Sequence, residues 1–535
     1  MNASRPDTLP ELLDARAGLR TPALISRDRP VSYSQLQEES RRVATGLRAL
    51  GVTAGDRIAL WLPNVPAWLA TFFACTELGA IAVAVNTRFR SRELADIVGR
   101  SGCKVLVYWP GFKRADFAGI LGACAPEALS HLSCVVVYAE DGEATPETVI
   151  GKPAVPYASL AASGRLATSA AHAGAGCAIF TTSGTTKAPK FVLHDQKTLV
   201  RHAFDVVDGF GLGATSVPFL APPLCGVFGA CNALAAIAAG RPLVMPPSWD
   251  AAEALRQIDK HGVTHFNATD EAIAQLLEQT SRAPIFPNVA FVGYAAFNPA
   301  MDNIVPRAEA RGLKLVGLYG ISEIQALFAR QDENSPAEER RLAGGRPVNP
   351  GARVRARDPE SGRVLSHGES GELEFLAPGS RMVGYFGDPE ATAAALTADG
   401  WYRSGDLGYT QADGRFTFVA RMGDALRLGG FLVSPLEIEG VVQEIEGVDG
   451  CQVVGVDHGN ALKPVGFVTL KPGGALDEAT AIGHVAARLA RYKVPVRLFA
   501  IEAFPVTEGT NATKIQKHKL RDLARQKMNP GFGEC

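Results

Sequence analysis

Apolar runs without polar alternation recur through the first two-thirds of this chain, separated by stretches of helical spacing. Ile58-Ala59-Leu60-Trp61-Leu62, Ile81-Ala82-Val83-Ala84-Val85, Val105-Leu106-Val107-Tyr108, Val135-Val136-Val137-Tyr138 and Cys177-Ala178-Ile179-Phe180 are of this kind. Pro242-Leu243-Val244-Met245, Val263-Thr264-His265-Phe266, Val289-Ala290-Phe291-Val292 and Leu313-Lys314-Leu315-Val316 continue the series. A strand that is apolar on both sides has to be covered on both sides, and helical crossovers do this. The pattern predicts an α/β fold of covered, largely parallel sheets. An early helix carries Leu36, Val43, Leu47 and Leu50 as its inward stripe, with Ser34 as the expected cap.

The texture then changes twice. After about residue 345, short alternating strands such as Gly371-Glu372-Leu373-Glu374-Phe375 and Phe416-Thr417-Phe418-Val419 predict a small β-rich subdomain over about 345–423. Beyond Asp424 a compact α+β pattern follows. It reads as a helix from about Pro435, strands near Val453 to Val456 and Val465 to Leu470, and a helix near Ala481 to Tyr492. A chain of 535 residues holds two or more domains, and the expected division is 1–423 and 424–535.

Charge and cysteine usage exclude several classes. A net charge of -1 argues against a nucleic-acid binder working through a basic surface. Nine scattered Cys, none in a Cys-x-x-Cys pair, fit reduced thiols in a cytoplasmic protein better than a disulfide framework or a zinc site. Met1 to Pro10 holds no apolar segment, so a secretory signal is not expected. The uncharged stretch Gly209 to Gly240 is broken by Pro218, Pro222 and Pro223, and its unbroken part, about Val227 to Ala239, is too short to span a bilayer. It reads as a buried helix.

Chemistry concentrates in Thr181-Thr182-Ser183-Gly184-Thr185-Thr186-Lys187-Ala188-Pro189-Lys190, which follows the Cys177 to Phe180 run. Hydroxyls, backbone N–H groups and ammonium groups are what polyphosphate oxygens require. The spacing is not that of a P-loop, and alone the stretch also reads as a plain Ser/Thr/Gly turn. Four further motifs follow in order. Tyr319-Gly320-Ile321-Ser322-Glu323 stands at the end of an expected strand, where open α/β sheets place ligands. Trp401-Tyr402-Arg403-Ser404-Gly405-Asp406-Leu407-Gly408 holds an Asp in a Gly-flanked turn. Arg421-Met422-Gly423-Asp424 leads into Gly429-Gly430, and Thr513-Lys514-Ile515-Gln516-Lys517 stands near the end. Taken singly, Tyr319 reads equally as core, Asp406 as an Asx turn, Arg421 as a surface charge, and Lys514 as part of a solvated basic helix face.

In this order, over about residues 10 to 525, the chain resembles the acyl-adenylate-forming superfamily: acyl-CoA synthetases, firefly luciferase and the adenylation domains of nonribosomal peptide synthetases. The resemblance implies two covered sheets and the β-rich subdomain in the large domain, and a small mobile C-terminal domain hinged near Asp424. It implies a two-step reaction. A carboxylate attacks the α-phosphate of ATP, giving an acyl-AMP and pyrophosphate, and a thiol then displaces AMP. The implied cofactors are ATP, Mg²⁺ and coenzyme A. Thr182, Ser183, Gly184, Thr185, Thr186 and Lys190 would hold the β- and γ-phosphates. Tyr319 would stack on adenine beside a wall of Gly293-Tyr294-Ala295-Ala296, with Ser322 adjoining. Glu323 would bind Mg²⁺, Asp406 and Arg421 the ribose, and Lys514 would bridge the substrate carboxylate and the α-phosphate. Gly430 would line the path of the thiol.

Some positions depart from the family's pattern. Lys187 and Phe191 stand where Gly is usual, and Gly226 where many acyl-CoA synthetases carry His. The segment before Lys514 is longer than usual, which leaves Lys517 as the next candidate. No Asp stands near Leu224 to Gly226 to pair with an amino acid's ammonium. With Gly226, Val227 and Ala296 small and apolar, the resemblance implies a carboxylic acid with an apolar body, short-to-medium chain or aromatic. Asp270 is expected as a helix N-cap, with a place near the pocket mouth as the alternative. Coenzyme A is the expected acceptor. Loading of a carrier protein and a noncatalytic adenylate-binding protein are the alternatives, and an oligomer is possible.

Overall fold

The computed structural model describes residues 5–112, 116–140, 145–182, 189–296, 301, 303–423, 426–428, 431–458, 461–489, 491–508 and 513–528. Eight strands and two helices among them carry the site. The strands are β1 (Gly176–Thr181), β2 (Phe191–Asp195), β3 (His265–Thr269), β4 (Val292–Ala295), β5 (Leu315–Ile321), β6 (Gln325–Arg330), β7 (Tyr402–Thr410) and β8 (Phe416–Arg421). The helices are α1 (Gln196–Phe210) and α2 (Val227–Ala238).

The apolar runs sort into two sheets. Ile58, Ile81, Val105 and Val135 belong to strands that pair in parallel with one another, and β1 joins their edge in parallel through Ala82↔Ala178. β2 then turns back antiparallel on β1, Phe191 opposite Thr181. In the other sheet β3, β4 and β5 run in parallel, with Asn267↔Gly293 and Gly293↔Val316 as register partners. Between the sheets lie α1 and α2. One apolar cluster joins Ile58, Phe73 and Ile179 of the first layer, Leu199, Ala203 and Leu234 of the two helices, and Leu318 and Leu327 of the second sheet. The helices are therefore covered on both sides, which is why the 209–240 stretch carries no charge.

The β-rich subdomain is not a separate sheet. After β5 the chain reverses into β6, and Gly344–Pro347 pairs with β6 on one edge and β8 on the other. The second sheet thus continues, antiparallel, through β8, β7 and the Gly371–Leu376 and Arg353–Arg357 strands. Gly344 and Gly345 make the join possible. Both have positive φ (128° and 95°), and a Cβ on Gly345 would lie 2.0 Å from the Arg330 carbonyl oxygen. This extension has its own core around Tyr319, Phe328, Phe375 and Phe416.

Beyond residue 426 the α+β unit forms. Val448–His458 and Ala461–Leu470 pair antiparallel, and Arg497–Ala500 adds in parallel. The Pro435–Gln443, Glu478–Ala486 and Lys517–Met528 helices cover this sheet. Asp424, the expected hinge, lies outside the described residues.

Several boundaries differ from expectation. Ser32, not Ser34, caps the first long helix, and Gln35 closes a capping box with it. The strand expected at Val289 to Val292 begins at Val292, because Val289 turns its side chain into the outer apolar cluster from a loop. Thr269 rather than Asp270 is the N-cap of the next helix, its hydroxyl accepting from the Ala272 N–H. The helix expected to reach Tyr492 stops at Ala486. All eight described cysteines are buried.

Candidate active site

The β1–β2 hairpin holds the ends of the Thr/Ser/Gly loop together. The Thr182 N–H donates to the Lys190 carbonyl at 3.0 Å, and the Lys190 N–H to the Thr182 hydroxyl at 3.2 Å. Ser183, Gly184, Thr185, Thr186 and Lys187 lie outside the described residues. Arg100 braces the base of the loop. Its guanidinium donates to the Pro189 carbonyl at 3.1 Å and lies 4.4 Å over the Phe191 ring. Phe191 thus provides a platform for a cation.

One phenol links this loop to the motif at the end of β5. Lys190 Nζ lies 4.4 Å over the Tyr385 ring, and the Tyr385 hydroxyl donates to Glu323 Oε1 at 2.8 Å. Burial first, and the Glu323 carboxylate second, hold the Tyr385 hydroxyl above its ordinary pKa, so it stays a donor. Tyr385 reaches this place because Gly384–Tyr385 pairs with β2 at Val192.

The turn bearing Glu323 is clamped. His194 Nε2 donates to the Ser322 carbonyl at 2.8 Å, and the Met382 N–H donates to the Glu323 carbonyl at 2.7 Å. Because its partner is a carbonyl, Nε2 of His194 must carry the proton. Gln325, two residues on, holds φ 67° and ψ 155°, a region that glycine occupies freely and other residues rarely. Its side chain is fully buried and donates to the Thr198 carbonyl at 3.1 Å. Leu327 is also left-handed, at φ 60°. Such conformations cost about 1–3 kcal/mol each and persist where the surroundings over-determine them.

Asp406 and Arg421 face each other across the β7–β8 pair as register partners, with Arg421 Nη1 2.8 Å from Asp406 Oδ1. The Tyr319 hydroxyl donates to Asp406 Oδ2 at 2.6 Å. Burial pushes the Asp406 carboxyl up, and Arg421 and Tyr319 pull against that rise. Asp406 is 1 % exposed, whereas half of the Arg421 side chain is open to solvent. The Tyr319 ring is stacked on Phe375 at 5.3 Å and meets Phe416 edge-on at 5.1 Å. In this structure its contacts are those of a core residue whose hydroxyl anchors Asp406.

Gly293 and Ala295 lie on β4, buried and half-buried, and Ala296 follows, exposed. Gly226 is the N-cap residue of α2, and Val227 begins that helix. Asn64 fixes the approach to it. Its amide accepts from the Leu224 N–H at 2.8 Å and donates to the Pro222 carbonyl at 3.3 Å. Lys514 stands in the Thr513–Ile515 strand, its backbone opposite Thr507. Lys517 Nζ donates to the buried Glu439 at 2.9 Å, which ties it into the C-terminal unit's own packing. Gly430 lies outside the described residues. Tyr385, Arg100, His194 and Asn64 were not singled out in the sequence. Each is an ordinary core or surface residue until topology brings it to this edge.

A family model described as an AMP-binding enzyme matches residues 14–386. The chain belongs to the AMP-binding enzyme family. The model for the C-terminal domain of AMP-binding enzymes matches residues 437–510. This AMP-binding enzyme is 30% identical over 508 residues to the 3-[(3aS,4S,7aS)-7a-methyl-1,5-dioxo-octahydro-1H-inden-4-yl]propanoyl:CoA ligase of Mycobacterium tuberculosis, covering 94% of this chain and 95% of that one. It is 29% identical over 499 residues to a feruloyl-CoA synthase of Amycolatopsis sp, covering 92% and 93%. A benzoate CoA ligase from Burkholderia xenovorans LB400 superposes with a TM-score of 0.77 at 26% identity, covering 96% of this chain and 98% of that one. The family places the chain among AMP-forming acid–thiol ligases.

The residues present fit the groups such an enzyme uses. Glu323, one half-buried carboxylate oriented by a phenol donor, suits an Mg²⁺ ion that takes its other ligands from phosphate oxygens and water. Among the described residues no cluster of three metal-ligating side chains is present.

Proposed function

We propose that this AMP-binding enzyme is an ATP-dependent acyl-CoA synthetase that activates a carboxylic acid with a largely apolar body, short-to-medium chain or aromatic, and transfers it to coenzyme A. The observation that carries the reading is that Lys190 and Tyr385, from the edge of the first sheet, meet Glu323 just beyond β5 of the second, where Tyr319, Asp406 and Arg421 form a linked group beside it. Thr182, Ser183, Gly184, Thr185, Thr186 and Lys190 bind the β- and γ-phosphates, and Arg100 stiffens the base of that loop. Glu323 holds Mg²⁺, which when bound neutralises phosphate charge. Asp406 accepts from the ribose hydroxyls once Arg421, whose side chain is half exposed, shares or yields its place. Gly293 and Ala295 border adenine with Ser322 beside them, and Tyr319 steadies Asp406 through its hydroxyl. Lys514 brings positive charge to the carboxylate and α-phosphate oxygens where it builds in the transition state. Gly226, Val227 and Ala296 border the acyl group, and Gly430 the thiol. A cytoplasmic site of action fits the buried, unpaired cysteines. No helix among the described residues is long and apolar enough to cross a membrane.

Two measurements test this. Pyrophosphate should be released when ATP, Mg²⁺ and a suitable acid are combined, and a thioester should form when coenzyme A is added. No pyrophosphate across a broad acid panel would leave a noncatalytic adenylate-binding protein. Acyl-AMP without thioester to coenzyme A would point to a carrier protein as acceptor.

A further inference from the structure

Between α1, α2 and the inner face of β3 lies a small, partly open notch of about 20 Å³, whose apolar lining includes Val206, Phe210, Ala235 and Phe291. Its polar groups are two asparagines and a histidine. Asn232, on the second turn of α2, donates to the Phe228 carbonyl of its own helix at 2.8 Å. A carbonyl can only accept, so this bond fixes which end of the Asn232 amide is nitrogen. The Asn232 oxygen then needs a donor, and Asn267 Nδ2 supplies it at 2.8 Å. That bond in turn fixes Asn267. Its Oδ1 is turned toward Gly293, where an added Cβ would lie 2.1 Å away. Among the described residues Oδ1 of Asn267 has no hydrogen-bond partner, although Asn267 is only 7 % exposed. His265 is closed: Nδ1 meets the Thr264 hydroxyl at 2.7 Å, and the Phe210 backbone takes its other side.

The chain of bonds from Phe228 through Asn232 to Asn267 therefore presents an acceptor on an otherwise apolar wall. Asn267 lies two residues, about 7 Å along the strand, below the end of β3. Its register partner Gly293 lies equally far below Ala295 at the end of β4. The notch has room for a hydroxyl-sized group.

We propose that Asn267, oriented by Asn232, selects the acid by accepting a hydrogen bond from a hydroxyl on the acyl body remote from the carboxylate, so that the natural substrate is a hydroxylated aromatic or alicyclic acid. This rests on the synthetase reading. A hydroxyl fits because it donates. A keto or methoxy group at the same place would set two acceptors against each other and lose the bond.

The test is pyrophosphate release by the full-length enzyme with matched acids: benzoate, para-hydroxybenzoate and para-methoxybenzoate, and the three corresponding cinnamates. The hydroxy acid should lead its two partners in kcat/KM by about tenfold or more. Asn267→Leu should bring that ratio near unity. Asn232→Leu, which releases the Asn267 amide to rotate and offer Nδ2, should raise the methoxy acid relative to the hydroxy acid. Equal turnover of hydroxy and unsubstituted acids by the unaltered enzyme overturns the proposal, as does a hydroxyl preference that survives in both variants. Thermal shifts by the same acids with ATP keep the two readings apart. A larger shift with the hydroxy acid supports the acceptor even if no pyrophosphate appears, whereas the missing pyrophosphate alone counts against the synthetase.

Discussion

Removing the Asp406 carboxylate should reveal what it holds. Each charge-assisted hydrogen bond it makes contributes roughly 1.5–3 kcal/mol, so Asp406→Ala should raise the ATP KM steeply. It should penalise 2′-deoxy-ATP much less, because one ribose bond is already missing there. Equal penalties for the two nucleotides would take Asp406 out of the ribose site. A second residue-scale expectation concerns pH. Burial holds the imidazoles of His194 and His202 down at about 4, and their carbonyl partners, Ser322 and Ala326, only partly oppose it. The unfolded chain, with His near about 6.5, takes up protons that the folded chain refuses. Stability is therefore complete above about pH 6.5 and falls as the pH drops toward 4, by up to ~1.4 kcal/mol per unit for each His. Thermal melts between those values should show the fall, and His202→Gln should flatten it. An identical slope in the variant would mean that His202 is charged in the native state.

At the scale of elements, the Gly344–Pro347 strand decides whether the second sheet is one body. Gly345→Ala would meet the Arg330 carbonyl at 2.0 Å and force a left-handed residue, which alone costs about 1–2 kcal/mol. Denaturant titration should show a loss larger than that, and ATP binding should weaken, because the join carries β7 and β8 to β5. Unchanged stability would show that the strands can shift apart at no cost. This join also marks the limit of what the sequence discloses. Continuous apolar runs disclose covered strands because burial on two faces leaves no polar alternation, and most of the expected strands are present within a few residues. The carboxylates and the phosphate loop stood out only as a collinear set, because each taken singly also reads as a turn, a core residue or a surface charge. Tyr385, His194 and the amides of Asn232 and Asn267 were not. Their chemistry depends on which strand pairs with which, and a Tyr or Asn in an apolar run carries no mark of its neighbour.

For the whole molecule, the two C-terminal lysines should separate in their effects. Lys517 is tied to the buried Glu439, so Lys517→Ala should lower the stability of the C-terminal unit, by about 3–5 kcal/mol if the carboxylate is left uncompensated. Lys514→Ala should leave the melting profile alone and abolish acyl-AMP formation, while sparing thioester formation from supplied acyl-AMP. If Lys517→Ala instead removes adenylation without loss of stability, the two roles are reversed. The burial of the cysteines has a consequence of another kind. An enzyme whose second substrate is a thiol works among thiols and their oxidised dimers, and any exposed thiolate would exchange with them. Here burial pushes Cys225, just before α2, and Cys231, within α2, up to about 12, and all eight described cysteines are out of solvent. Ellman's reagent should find at most one reactive thiol in the native protein and nine after unfolding. The fold would thereby be inert toward its own cosubstrate: coenzyme A disulfide could accumulate around it without capping a single described cysteine.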